Sequence, residues 1–320
     1  MKTRGHRWVV VLAGGEGARM RNWIAQTTGE LRPKQYCSFT GTRSMLEHTY
    51  DRARSLVSDE RIVTVIGRDH WQYLDEPRRI ALPGRIIAQP ANKDTAPGLL
   101  LALTYILSED PDARVALLPS DHFIAPNDRF TNRMEASFEL LERFENRIIL
   151  LGARPDRPET DYGWIRPSHR LVSGSHPSVR ETTAFLEKPD LASAQRFFRE
   201  GYLWNTMIMT FRASSLWRLA AQTLPEAAER FQRLRRIDGG RLAPWALAEI
   251  YEGMPSANLS SDILERTTEK TLVMPLRSVQ WCDWGRPERV IESLALLGRE
   301  IEPIAPSATV FPTHRTVAYA

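Results

Sequence analysis

A hydrophobic run, Trp8-Val9-Val10-Val11-Leu12, gives way to Ala13-Gly14-Gly15-Glu16-Gly17-Ala18-Arg19-Met20, and Arg32-Pro33-Lys34-Gln35 follows. Glycine lets the backbone take φ > 0 and brings its N–H groups close to an anion. A strand that ends in glycines, with Arg19 at once and Lys34 soon after, can hold a polyphosphate and neutralise it. The order excludes two common cradles. A dinucleotide fingerprint needs a third glycine where Met20 stands, and the Gly-Lys-Ser/Thr of a Walker A loop is absent.

The elements that must position this loop alternate. Trp8–Leu12 reads as a buried strand, Ser44–Leu56 as a helix, and Arg61–Ile66 and Arg85–Ala88 as strands. Ala96–Leu107 reads as a buried helix with Pro97 in its first turn. Val115–Leu118 is a short core strand ending at Pro119-Ser120-Asp121-His122, and Phe130–Glu145 is an amphipathic helix before the strand Arg147–Leu151. This βαβα order predicts a mostly parallel sheet with helices on both faces, whose ligands gather at the carboxyl ends of the strands. The second half is less regular. Pro155–His176 reads as loops and a hairpin over the sheet, Thr183–Leu186 as a strand, and Leu191–Glu200 and Ser214–Leu234 as helical stretches. From Pro303 on, the chain reads as a C-terminal arm, so we divide it into a catalytic domain, 1–290, and a C-terminal segment, 291–320.

Composition narrows the classes. Of 320 residues 42% are hydrophobic, enough for a core, and no apolar stretch approaches the ~20 residues of a membrane span. The basic N-terminal start runs straight into the glycine loop without a small-residue cleavage site, so the expectation is a cytoplasmic protein. Cys37 and Cys282 are far apart, lack metal-ligand spacing and read as free thiols. The net charge of +4 is spread along the chain with no basic run, which argues against nucleic acid. Only five of 43 basic residues are Lys, and three of these (Lys34, Lys93 and Lys188) fall in motif segments. An ammonium contacts phosphate as a compact point charge, which a guanidinium fork does not reproduce.

The order Gly-Gly-x-Gly-x-Arg-Met with Pro33-Lys34-Gln35 resembles the sugar-1-phosphate nucleotidyltransferases. Further segments are similar to the mannose-1-phosphate guanylyltransferases in order and spacing: Gln89-Pro90, Lys93-Asp94-Thr95-Ala96-Pro97, Leu118-Pro119-Ser120-Asp121-His122 and Pro158–Ile165. Phe185-Leu186-Glu187-Lys188-Pro189, Trp204-Asn205 and Trp281-Cys282-Asp283-Trp284-Gly285 complete the set, which covers residues 8–290. The resemblance implies an α/β, Rossmann-like nucleotidyltransferase fold with a mostly parallel mixed sheet. It also implies the reaction of an NTP with a sugar 1-phosphate to give an NDP-sugar and pyrophosphate, here GDP-mannose from GTP and mannose 1-phosphate.

The resemblance also implies roles. Asp121 and Asp283 would hold Mg²⁺, while Arg19 and Lys34 would contact the triphosphate. The backbone of Leu12, Ala13, Gly14, Gly15 and Gly17, with Gln89 and Thr95, would line the nucleotide. Lys188 would bind the sugar phosphate, and Gly163, Glu187 and Asn205 would meet sugar hydroxyls. His70 and His122 are expected to be structural or peripheral, because an anionic phosphate nucleophile needs no general base. The chain departs from the family pattern at Lys93-Asp94 (Arg-Asn in the family), Trp164 (Tyr) and Thr206-Met207 (Ser-Gly). These changes spare the phosphate and metal positions and bear on the sugar. Another sugar 1-phosphate or NTP, a glycosyltransferase on a similar sheet, and a non-catalytic sugar-nucleotide-binding regulator stay open alternatives. A homodimer is compatible, with no nucleic-acid or membrane partner expected.

Overall fold

The run Arg7–Ala13 (β1) is buried but for the half-buried Leu12, with Val10 packing on one face of a sheet and Val9 and Val11 on the other. A central strand covered on both sides has this pattern. The structure, a computed structural model, describes residues 4–29, 31–39, 41–74, 82–172, 178–239 and 241–298. Further strands are Ile62–Gly67 (β2), Arg85–Gln89 (β3), Arg114–Pro119 (β4), Phe123–Ala125 (β5), Ile148–Ala153 (β6), Trp164–Leu171 (β7), Arg180–Leu186 (β8), Leu203–Arg212 (β9), Thr271–Pro275 (β10) and Gln280–Cys282 (β11). Nine of them form one sheet in the order β3-β2-β1-β4-β9-β6-β10-β8-β7, and β5 pairs with β11 apart from it. β1, β2, β3, β4, β6, β7 and β10 run one way, and β8 and β9 run against them. The expected fold class, a mostly parallel mixed sheet with helices on both faces, is the one adopted.

The described α-helices are Arg21–Thr28 (α1), Met45–Arg54 (α2), Thr95–Glu109 (α3), Asn127–Arg143 (α4), Leu191–Arg199 (α5), Ala213–Thr223 (α6), Pro225–Asp238 (α7), Pro244–Tyr251 (α8) and Pro287–Leu296 (α9). α3, α6, α7 and α8 bury their apolar residues against one face of the sheet, α2, α4 and α5 against the other. A small third cluster joins Met20 and Ile24 to Phe39, Trp284, Val290 and Leu294. It gathers Ile24 of α1 and Val290 and Leu294 of α9 into one apolar cluster. Among the described residues no helix is long and apolar enough to cross a membrane.

Helices α1 and α8 and strand β10 fall in stretches to which the sequence assigns no element, and three further features differ from expectation. The stretch 214–234 is two helices, because Pro225 lacks an N–H and opens α7 after a break at Leu224. β9 was not foreseen; its buried Asn205, Thr206 and Thr210 mask the strand pattern, and Met207 sits at φ 57 where the pairing with β6 shifts register. α9 runs across residue 290. The expected C-terminal arm from Pro303 lies outside the described residues.

One buried carboxylate ties the start of the chain to the end of α3. Asp110 accepts from Trp8 Nε1 (2.9 Å), Arg61 Nη1 (3.2 Å) and the Asp112 N–H (3.2 Å), with His6 Nδ1 at 2.8 Å. Burial works against its charge, but the bonds from Trp8 and His6 prevail and hold its pKa below the usual value. Its contribution is therefore present above the unfolded carboxylate pKa and is lost as pH falls through the folded one. Asp110→Ala leaves the Trp8 N–H without this acceptor, so we expect a loss of about 2 kcal/mol in urea unfolding at neutral pH.

Candidate active site

The site assembles at the carboxyl ends of β1, β3 and β4 and the start of β9. Gly17 has φ +60, and a Cβ there would stand 3.2 Å from the Lys34 N, so glycine lets Pro33-Lys34-Gln35 lie against the loop. Gln35 Nε2 donates to the Ala13 and Gly15 carbonyls at 3.0 and 2.8 Å. His70 Nδ1 lies 3.1 Å from both the Ala13 carbonyl and Tyr36 OH, so this buried histidine props the loop from behind. A Cβ on Gly14 would meet Gln89 Nε2 at 2.7 Å. Tyr251 OH donates to Gln89 Oε1 (3.1 Å), which turns the amide nitrogen towards that glycine. Gly15 faces open space.

Beside the loop, one buried ammonium joins two carboxylate-bearing segments. Lys34 Nζ lies 3.0 Å from Asp121 Oδ2, and donates to the Asp283 carbonyl and to the Trp284 carbonyl (3.2 Å). Asp283 Oδ1 accepts from Tyr162 OH (2.8 Å), Arg289 Nη1 (2.8 Å) and the Gly285 N–H (2.9 Å). Burial opposes ionisation of Asp283, yet Lys34, Arg289 and the Gly285 N–H outweigh it and hold its pKa at about 2. Asp121 is lowered too, with Lys34 overcoming burial through its charge and its hydrogen bond. Both are ionised at neutral pH. Arg19, more than half exposed, lies 3.5 Å from Asp283 Oδ2 and from Asp161 Oδ2. His122 stands 3.8 Å from Asp121 Oδ1 and accepts from Trp281 Nε1 (3.2 Å) at Nδ1. Burial lowers its pKa, keeping it a neutral neighbour.

Asp121 Oδ1 and Asp283 Oδ2 have no hydrogen bond among the described residues, and no group of three or more His, Cys, Asp or Glu side chains is assembled there. Two ionised carboxylates without a fuller cage suit a hard cation that also takes phosphate oxygens, as Mg²⁺ does.

A second half lies across from the first. A Cβ on Gly163 would meet Glu187 Oε2 at 2.6 Å and Asn205 Cβ at 3.2 Å, so the missing side chain makes room for both. Glu187 Oε2 is buried without a hydrogen-bond partner among the described residues. Burial raises the pKa of Glu187 despite Lys188, and Glu265 and Asp94 add to the shift. Lys188 has φ 44, is exposed, and lies 3.9 Å from Glu187 Oε1. Asn205 is fully engaged on one edge: Oδ1 accepts from the Met207 N–H (3.0 Å), and Nδ2 donates to Ser260 Oγ (3.2 Å).

Thr95 opens α3, and its Oγ1 accepts from the Leu259 N–H at 2.9 Å. Asp94, where the resembled family has Asn, is exposed at φ 70; it caps Thr95 N (2.6 Å) and receives Asn258 Nδ2. Contacts thus join the singled-out residues in two groups: the glycine loop with Gln89, Lys34, Asp121, Asp283 and Arg19, and Gly163 with Glu187, Lys188 and Asn205. The 258–260 turn ties Thr95 to Asn205. Sequence reasoning gave Tyr162, inside the segment Pro158–Ile165, no role of its own, and missed Arg289, Tyr251 and the 258–260 turn, which reach the site from far along the chain. Arg289, pairing with Glu159 (2.6 Å), Asp161 (3.1 Å) and Asp283, left no signal in an Arg-rich chain.

Comparison with known proteins bears on the family and the fold. A family model described as nucleotidyl transferase matches residues 8–298. A crystal structure from Thermus thermophilus, described as mannose-1-phosphate geranyltransferase, superposes with TM-score 0.77 at 30% identity, covering 89% of this chain and 79% of that one. The mannose-1-phosphate guanylyltransferase RfbM of Salmonella typhimurium is 30% identical over 290 residues, 86% of this chain and 56% of that protein. The xanthan biosynthesis protein XanB of Xanthomonas campestris is 28% identical over 283 residues, again 86% of this chain and 57% of its own length. The chain spans little more than half the length of these curated relatives. By its sequence match and its fold, the chain belongs to the nucleotidyl transferase family.

Proposed function

We propose that the protein joins an NTP to a sugar 1-phosphate, releasing pyrophosphate, and that the pair is GTP and mannose 1-phosphate. The observation that carries this reading is the buried Lys34 ammonium held between Asp121 and the Asp283 backbone, against a glycine loop and Arg19. An oxygen of the sugar phosphate attacks the α-phosphorus, the bond from that phosphorus to the bridging oxygen of the β-phosphate breaks, and pyrophosphate leaves. The nucleophile is already an anion, so the chain's part is positioning and charge neutralisation. Lys34 and Arg19 meet the triphosphate, while Gly14, Gly15 and Gln89 receive the nucleotide. Lys188 takes the sugar phosphate, with Gly163, Glu187 and Asn205 on the hydroxyls. Mg²⁺, held by Asp121 and Asp283, would neutralise triphosphate charge. The choice of guanine and mannose rests on the relatives' names, and the family model supports the reaction class. A cytoplasmic location is part of the same reading.

Pyrophosphate release measured across a panel of NTPs and sugar 1-phosphates tests it. Fastest turnover with GTP and mannose 1-phosphate is expected, and no turnover with any pair would overturn the reading. A second expectation concerns the nucleotide wall. Gly14→Ala drives a Cβ into the Gln89 amide and should raise the KM for NTP about tenfold, the size of one hydrogen bond, with little change in Tm.

A further inference from the structure

The turn at residues 257–260 touches both halves of the cleft. On the nucleotide side, the Ala257 N–H donates to the Lys93 carbonyl and the Ala96 N–H to the Ala257 carbonyl, both at 3.0 Å. The Leu259 N–H reaches Thr95 Oγ1, and Asn258 Nδ2 reaches the Asp94 carboxylate at 3.2 Å. Asn258 Oδ1 accepts from the Ser260 N–H (2.9 Å), which fixes where Ser260 points. On the sugar side, the buried Ser260 Oγ accepts from Asn205 Nδ2 (3.2 Å) and donates to Met207 Sδ (3.1 Å). Met207 is held at φ 57, a conformation costly for a long side chain, and its own N–H donates to Asn205 Oδ1.

These bonds fix the Asn205 amide. Its oxygen is committed to Met207, and one amide hydrogen is committed to Ser260. The nitrogen lies 3.5 Å from where a Gly163 Cβ would be, beside the unpartnered Glu187 Oε2. Its second hydrogen is left for a ligand in that space.

We propose that Ser260 is a positioning residue for the sugar 1-phosphate: it turns Asn205 towards the sugar, and the 258–260 turn registers that half of the cleft on the nucleotide half. This rests on the function proposed above and adds residues that its assignment did not include.

The test compares Ser260→Ala and Ser260→Thr with the unsubstituted chain in steady-state kinetics, with both substrates varied in turn. Ser260→Ala is expected to raise the KM for mannose 1-phosphate about tenfold, leaving kcat and the KM for GTP within about twofold, as loss of one orienting hydrogen bond implies. Ser260→Thr, which keeps the hydroxyl, should restore the KM. An unchanged KM for the sugar phosphate in Ser260→Ala would overturn the proposal, as would equal losses for both substrates with a lowered Tm. Calorimetric titration of mannose 1-phosphate into both variants reads the same contrast without turnover. An inactive parent chain with a Ser260-dependent affinity would therefore refute the reaction and retain the positioning role.

Discussion

Asp121→Asn lowers kcat by about 10²–10³-fold while the protein stays folded. The carboxylate is ionised because Lys34, 3.0 Å away, outweighs the cost of its burial. Its other oxygen has no hydrogen bond among the described residues and is available to a cation. An asparagine of the same size keeps the packing but supplies neither the charge nor an anionic ligand. Loss of one preorganised electrostatic contact at a phosphoryl centre costs on the order of 3–4 kcal/mol of barrier stabilisation. Initial rates of pyrophosphate release, with circular dichroism as the check on folding, measure this. A variant within tenfold of the unsubstituted rate would remove Asp121 from its role.

Lys34→Met should act on both stability and rate. The ammonium is buried and is the positive partner of Asp121, and it also ties the glycine loop to the Asp283-Trp284 backbone. Removing it leaves Asp121 without its nearest cation and two buried carbonyls without a donor. Asp121 itself is only half-buried, so the loss should be about 3 kcal/mol, the low end for breaking a buried pair. Turnover should fall below detection. Lys34→Arg is not expected to rescue either quantity, because the planar guanidinium cannot occupy a pocket built for a point charge. Urea unfolding and initial rates read the two effects separately. A Lys34→Met protein of unchanged stability would contradict the geometry of the cluster.

How much of this was legible in the residues depends on how local each feature is. Residues 8–12 and the glycines after them form one continuous signal, a buried strand followed by a turn that only small residues allow. The Asp121 segment was legible for the same reason, following a short core strand. β9 was hidden because its buried polar residues break the apolar pattern and find partners that no spacing reveals: Thr206 Oγ1 donates to the Leu151 carbonyl (2.5 Å), 55 residues away. The break before α7 was signalled by Pro225 and overrun by the apolar spacing on either side. Tyr251, Arg289 and Ser260 could not be placed, since their partners lie far away in sequence and no spacing rule connects them; Tyr162 stood in a motif segment, but its bond to Asp283 left no signal. The departures at Asp94 and Met207 were visible as residue types. Their consequence, two positive-φ positions joined through the 258–260 turn, exists only in three dimensions.

The central claim is that a sugar phosphate attacks the α-phosphorus of an NTP in this cleft. Incubation of the protein with Mg²⁺, mannose 1-phosphate and GTP labelled at the α-phosphorus tests it in one measurement. The account predicts that label appears in GDP-mannose in step with an equal amount of unlabelled pyrophosphate. Label recovered as GMP or left in GDP, with inorganic phosphate released and no labelled sugar nucleotide, would contradict it.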